Sequence, residues 1–130
     1  MAKARVLVAD DNEAIRDVLA SLLAENFEVI RAVSDGGAAL AAVTQLLPDV
    51  AILDISMPVL NGIEVARRIR DGSHRAVVVF LTCFSDADIF EAACDAGLSA
   101  YVTKERLNIG LVPAIEAALS GARFVSPGVG

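Results

Sequence analysis

The amino-acid sequence predicts an α/β domain in which a parallel sheet carries helices on both faces. Three observations lead there. Short aliphatic runs alternate with longer helical stretches, five of each. The runs are apolar at nearly every position, as strands buried on both sides must be. Chemically capable residues stand where the runs stop, namely Asp10 and Asp11, Asp54, Thr82 and Lys104. Open parallel sheets bind their ligands at those carboxyl ends.

Each element has its own local reason. Arg5–Ala9 is the first strand and runs into Asp10-Asp11. Asn12 suits an N-cap and Glu13 a first helical turn, after which Ile15, Val18, Leu19, Leu22 and Leu23 recur at helical spacing. Phe27–Val33 is the second strand. Asp35-Gly36-Gly37 punctuates before a helix carrying Leu40, Val43 and Leu46-Leu47, which Pro48 stops. Val50–Leu53 is the third strand and ends at Asp54. Residues 62–71 read as a helix with Gly72 just past its end. Ala76–Leu81 is the fourth strand, ending at Thr82; Asp86 suits the cap of a helix reaching Gly97; Ser99–Thr103 is the fifth strand, ending near Lys104. Pro113 lacks an N–H and is tolerated in a first turn, so the last helix is expected to start with Gly110 as its N-cap. Leu111, Ile115 and Leu119 then share a face, and Gly121 ends the helix. The domain is placed at residues 4–121, with 122–130 as a turn-rich tail or the start of a linker.

Composition narrows the function. The 130 residues fit one domain. Eleven basic against 17 acidic side chains give a net charge of −6, which argues against a surface built to neutralise phosphates. With 55% apolar and 22% charged residues the chain is no disordered segment. No apolar run approaches the roughly 18 residues of a membrane span, and Met1–Arg5 leads into a strand rather than a signal peptide. A cytoplasmic location without a membrane partner is therefore expected. Cys83 and Cys94 make no disulfide framework, and the single histidine, His74, excludes a His/Cys zinc cluster.

Three carboxylates in one crevice repel one another, and burial sharpens the conflict. A divalent cation together with Lys104 neutralises them formally. Oxygen-only ligation with few protein donors favours Mg2+ over Ca2+. An aspartate beside Mg2+, a hydroxyl and a lysine is an arrangement for moving a phosphoryl group onto a carboxylate. Taken singly, Asp54 could cap a turn, Thr82 could be an ordinary strand threonine and Lys104 a snorkelling surface lysine. The reading rests on all of them occurring in order at strand ends.

In these residues the chain resembles the receiver domain of bacterial two-component response regulators, over nearly all of 4–121. Asp10-Asp11 matches that family's acidic pair, and Asp54-Ile55-Ser56-Met57-Pro58-Val59-Leu60-Asn61-Gly62 matches the stretch around its phosphorylated aspartate. Thr82, Lys104 and Tyr101 match its hydroxyl, lysine and aromatic switch positions. The resemblance implies a flavodoxin-like, five-stranded sheet of order 2-1-3-4-5 with five helices. It implies Asp54 as phospho-acceptor, and Asp10, Asp11, Asp54 and the backbone carbonyl of Ser56 as ligands for Mg2+. Thr82 and Tyr101 would be the switch pair, a sensor histidine kinase the phosphodonor, and a homodimer a further assembly. Such a domain is a switch, not a turnover enzyme, and touches no nucleic acid itself. Residues 118–127 look like receivers that precede a LuxR-type helix-turn-helix, which implies transcriptional output through a DNA-binding domain beyond this sequence. The alternative is a stand-alone receiver acting by protein–protein contact.

The departures are Glu105 after Lys104, where many receivers have a cis proline, and Cys83-Phe84 in place of small, often polar residues. Rival functions fit less well. A haloacid-dehalogenase-like phosphatase needs an aspartate two residues after its nucleophile, and that position is Ser56. A degenerate receiver would have lost an acid or the lysine. A dinucleotide fold needs a glycine-rich turn after its first strand, where Asp10-Asp11-Asn12 stands. His74 reads as a loop bystander, Cys94 as core, and Arg67, Arg68 and Arg70 as a solvated helical face.

Overall fold

The computed structural model describes residues 2–72 and 74–129. In chain order its elements are β1 (Ala4–Ala9), α1 (Glu13–Leu23), β2 (Phe27–Val33), α2 (Gly36–Leu46), β3 (Val50–Leu53), α3 (Gly62–Asp71), β4 (Val77–Thr82), α4 (Ala87–Asp95), β5 (Ala100–Thr103), α5 (Leu107–Leu119) and β6 (Phe124–Val125). The strands form one sheet of order β2-β1-β3-β4-β5-β6, parallel at every pairing. The flavodoxin-like order 2-1-3-4-5 with five helices is thus the order found, and one further strand extends it.

Alternation along the central strands explains why both sheet faces are covered. Leu7, Ala51, Leu53 and Phe80 point to the face covered by α2, α3 and α4, where Val43, Val65, Ile69 and Ala93 meet them. Val6, Val8, Ile52, Val79 and Leu81 point to the other face, under Leu19 and Leu23 of α1 and Leu111 and Ile115 of α5. The cores are mainly aliphatic, and each strand residue that leaves one face serves the other.

Capping sets where the helices begin. Asn12, Asp35 and Asn61 each accept a backbone N–H from three residues on, at 3.1, 2.7 and 2.9 Å. Asp86 stands at the N-cap of α4 but makes no such bond. Two glycines permit close approach near the carboxyl ends. A Cβ on Gly62 would lie 2.1 Å from the Asp54 carbonyl oxygen, and one on Gly36 1.9 Å from that of Leu60. Only glycine lets α3 start directly over the backbone of Asp54.

Two expectations need correcting. α5 starts at Leu107, after a 3-10 turn over Lys104–Arg106, so Pro113 lies inside the helix and not in its first turn. Pro113 cannot donate to the carbonyl of Ile109, and both residues are exposed, so the break in the ladder falls on the outer side of the helix and not against the core. The stretch expected as a turn-rich tail contains β6, which pairs Phe124 with Ala100 and Val125 with Tyr101. Gly130, the last residue of that tail, lies outside the described residues. Among the described residues there is no cis peptide, so Glu105 follows Lys104 through a trans bond. No helix among them is long and apolar enough to cross a membrane.

Candidate functional site

Strand register brings the chemistry together. Ala9 lies opposite Leu53 in the β1–β3 pairing, Leu53 opposite Phe80, and Thr82 opposite Thr103. The residue after β1, the residue after β3, the last residue of β4 and the residue after β5 therefore share one edge. These are Asp10, Asp54, Thr82 and Lys104. Backbone bonds lock the two acids there, from Asp10 N–H to Val33 O at 3.1 Å and from Asp54 N–H to Ala9 O at 2.9 Å.

Carboxylate oxygens of Asp10, Asp11 and Asp54 all lie within 4.8 Å of one another. Asp10 and Asp54 are buried, at 1% and 4% exposure, and Asp11 is exposed. Lys104 reaches in from above, its Nζ 2.9 Å from Asp10 Oδ2 and 3.2 Å from Asp54 Oδ2. Burial first, then the Asp10 carboxylate, pushes the Asp54 carboxyl above the usual Asp range; Lys104 and the Ser56 backbone N–H oppose this without cancelling it. Burial pulls the Lys104 ammonium down, but its bonds and attraction to Asp10 and Asp54 outweigh that and leave it raised. One lysine thus balances one of three clustered charges.

The donor set fits a hard divalent cation. All its donors are oxygens, and Asp10 Oδ2 is buried with no aligned hydrogen bond, although Lys104 Nζ is near. Asp10 Oδ1 is already engaged by the Asn12 N–H at 2.9 Å, which turns Oδ2 into the cluster. An oxygen so placed retains a lone pair for a cation.

Thr82 is fully buried, and its Oγ1 accepts the Phe84 N–H at 3.2 Å, leaving the hydroxyl proton to be donated elsewhere. The Tyr101 hydroxyl donates to the Phe84 carbonyl at 2.8 Å. Phe84 is therefore gripped at both its peptide groups by the two residues expected to form the switch. Tyr101 itself points inward. Its ring is already buried, edge-on to Phe90 at 5.2 Å between centroids and tilted to Phe80 at 6.2 Å. Burial, with Asp86 and Cys94 adding to it, pushes its hydroxyl up to about 12.

A family model described as the response regulator receiver domain matches residues 6–116. The chain belongs to the response regulator receiver family. It is 39% identical over 123 residues to the transcriptional regulatory protein PdtaR of Mycobacterium tuberculosis, which covers 94% of this chain and 60% of the relative. It is 32% identical to the transcriptional regulatory protein LnrK of Bacillus subtilis, over 95% of this chain and 57% of that protein. The receiver therefore spans about three fifths of the curated relatives it matches. Among solved structures, a LuxR-family response regulator from Aurantimonas sp. SI85-9A1 superposes with a TM-score of 0.92 at 32% identity, covering 98% of this chain and 93% of that one. The receiver domain of the response regulator NarL from Mycobacterium tuberculosis gives 0.89 at 28% identity, over 93% and 99%. Receivers of this family are signalling domains of two-component systems.

Within this receiver, sequence reasoning missed Arg16. Its Nη1 donates to the Asp10 carbonyl at 2.7 Å, fixing the peptide that carries the first acid. An arginine at helical reach from an acidic strand end is the signal that was available. The bland readings hold for the arginine cluster, since Arg67 and Arg68 pair with Glu64 and Arg70 with Asp71. Cys94 is half-buried and packs against the core that contains Tyr101. His74 is half-buried and borders a hollow of about 550 Å3 with Leu47, Asp49 and Leu119. That hollow lies at the amino-terminal ends of the strands, away from the carboxylates. Charge and strand-end position mark this site, not volume.

Proposed function

We propose that this receiver takes a phosphoryl group from a sensor histidine kinase onto Asp54 and passes the change to the segment between β4 and α4. The observation that carries the reading is the convergence of Lys104 Nζ on both buried carboxylates, at 2.9 and 3.2 Å. An Asp54 oxygen attacks the phosphorus of a phosphohistidine. The new O–P bond forms as the N–P bond breaks, and the electron pair leaves on the imidazole, which takes up a proton from water. Asp10, Asp11, Asp54 and the Ser56 carbonyl would hold Mg2+, which when bound neutralises charge on the transferred oxygens. Lys104, in contact with Asp10 and Asp54, would supply a second positive charge. Thr82 keeps its hydroxyl proton free for a phosphoryl oxygen. Donating it reorients the oxygen that holds the Phe84 N–H, and Tyr101, bonded to the Phe84 carbonyl, feels the shift.

The output we assign is transcriptional control through a LuxR-type DNA-binding domain of a longer cytoplasmic regulator. The similarity of residues 118–127 to LuxR-type receivers and the 32% identity to a LuxR-family regulator support this. The test of the acceptor is mass spectrometry after incubation with acetyl phosphate and Mg2+. The chain should gain roughly 80 Da, and Asp54→Asn or chelation of the metal should abolish the gain. An unchanged gain in the Asp54→Asn variant would overturn the assignment.

A further inference from the structure

β6 is too short to add much to the sheet, yet a buried polar residue follows it directly. Ser126 is 3% exposed, and both its polar groups point at β5. Its N–H donates to the Tyr101 carbonyl at 2.9 Å, and its Oγ accepts the Thr103 N–H at 3.2 Å. Thr103 is the residue before Lys104, and its own Oγ1 is buried without a partner. The carboxyl end of β5 therefore has β4 on one side and, on the other, this serine. After it the chain leaves the sheet into the 3-10 turn that starts at Lys104 itself. Phe124 anchors the approach, its ring lying against α5 at Gly110, where a Cβ would come within 3.8 Å of it.

We propose that Ser126 is a positioning residue for Lys104. By holding the Thr103 N–H and the Tyr101 carbonyl, it fixes the β5 end so that the ammonium meets Asp10 and Asp54. The inference rests on Asp54 as phospho-acceptor. Lysine acts on charge that develops during transfer, so loosening it slows the limiting rate more than it weakens donor binding. A misplacement of about 1 Å at the β5 end is enough to weaken a catalytic contact severely.

The test uses the full chain and follows the rate of mass gain with acetyl phosphate and Mg2+, far below the melting temperature. Ser126→Ala should lower the limiting rate roughly tenfold, leave the half-saturating donor concentration unchanged, and speed hydrogen exchange at the Thr103 amide. Ser126→Cys keeps the volume with a weaker acceptor and should show the same pattern at smaller size, which guards against a variant that merely fails to fold. In a Lys104→Ala background, Ser126→Ala should cost nothing more, because the residue through which it acts is gone. Equal losses in both backgrounds, or an unaltered rate in Ser126→Ala, overturn the proposal while the acceptor reading stands. A wild type that gains no mass overturns the acceptor reading and this proposal with it.

Discussion

Asp54 weakens the fold that presents it. A carboxyl raised by burial and by Asp10 holds its proton more tightly in the folded chain than in the unfolded one. Ionisation then costs the folded state more. The penalty is absent well below the ordinary value of 3.8 and sets in as pH rises through the folded value. Above the folded value the full penalty is present. Asp54→Asn removes the charge and keeps the shape, so in metal-free buffer it should raise the melting temperature by roughly 2–5 °C, with the gain shrinking toward pH 3. Thermal melts of both proteins near pH 7 and near pH 3 check this. A lower melting temperature near pH 7 would mean that the Lys104 pairing outweighs burial and repulsion. Val59 shows a related tension in the loop after Asp54. It is a β-branched residue at φ 72°, where such residues are strained, and it is 79% exposed, so no core packing of its own compensates.

The segment from Cys83 to Asp86 is held by two hydroxyls, and one of them reports its own burial through pH. The Tyr101 phenol is pushed up to about 12 from 10.0, so the fold favours the neutral form. The unfolded chain ionises first as pH rises past 10, and stability falls through the window between those values. Wild type should therefore lose about 1 kcal/mol more than Tyr101→Phe between pH 8 and pH 11, measured by urea unfolding at each pH. Lys104 also titrates above its ordinary range, but it does so in both proteins, and the difference isolates the phenol. Parallel slopes in the two proteins would show that the hydroxyl is not buried as described. The same elements show where sequence was readable. All-apolar runs such as Val50–Leu53 read as central strands, and Asn12 caps α1 as its kind of side chain does, whereas the caps made by Asp35 and Asn61 emerge only in the structure. β6 was not readable, because two residues carry no periodicity and its existence depends on bonds to β5. The start of α5 is not legible in the sequence, because a proline favours a first turn without requiring one, and Pro113 sits on an exposed side of the helix where the lost bond does not disturb the core. Gly62 stood out within the motif, whereas Gly36 has the same role against Leu60 and only tertiary packing reveals it.

At the scale of the whole molecule, six parallel strands deliver their carboxyl ends to one edge, and that edge collects the acids that the rest of the fold keeps apart. Occupancy of the site is therefore linked to the stability of the whole domain. A ligand that binds the folded chain and not the unfolded one stabilises it by mass action, about 2.7 kcal/mol at a hundred times its dissociation constant. Asp11 separates this effect from packing. It is exposed, so Asp11→Asn leaves the core intact while removing one of the three clustered carboxylates. Saturating Mg2+ should raise the melting temperature of wild type by several degrees, and most of that increment should be absent in Asp11→Asn. Salt alone will stabilise a chain of net charge −6 by screening its self-repulsion, so sodium chloride at matched ionic strength sets the baseline. The increment above that baseline belongs to the carboxylate cluster. If Asp11→Asn keeps the whole increment, or sodium chloride reproduces it, the cluster holds no specific cation and its charges are balanced by Lys104 and solvent alone.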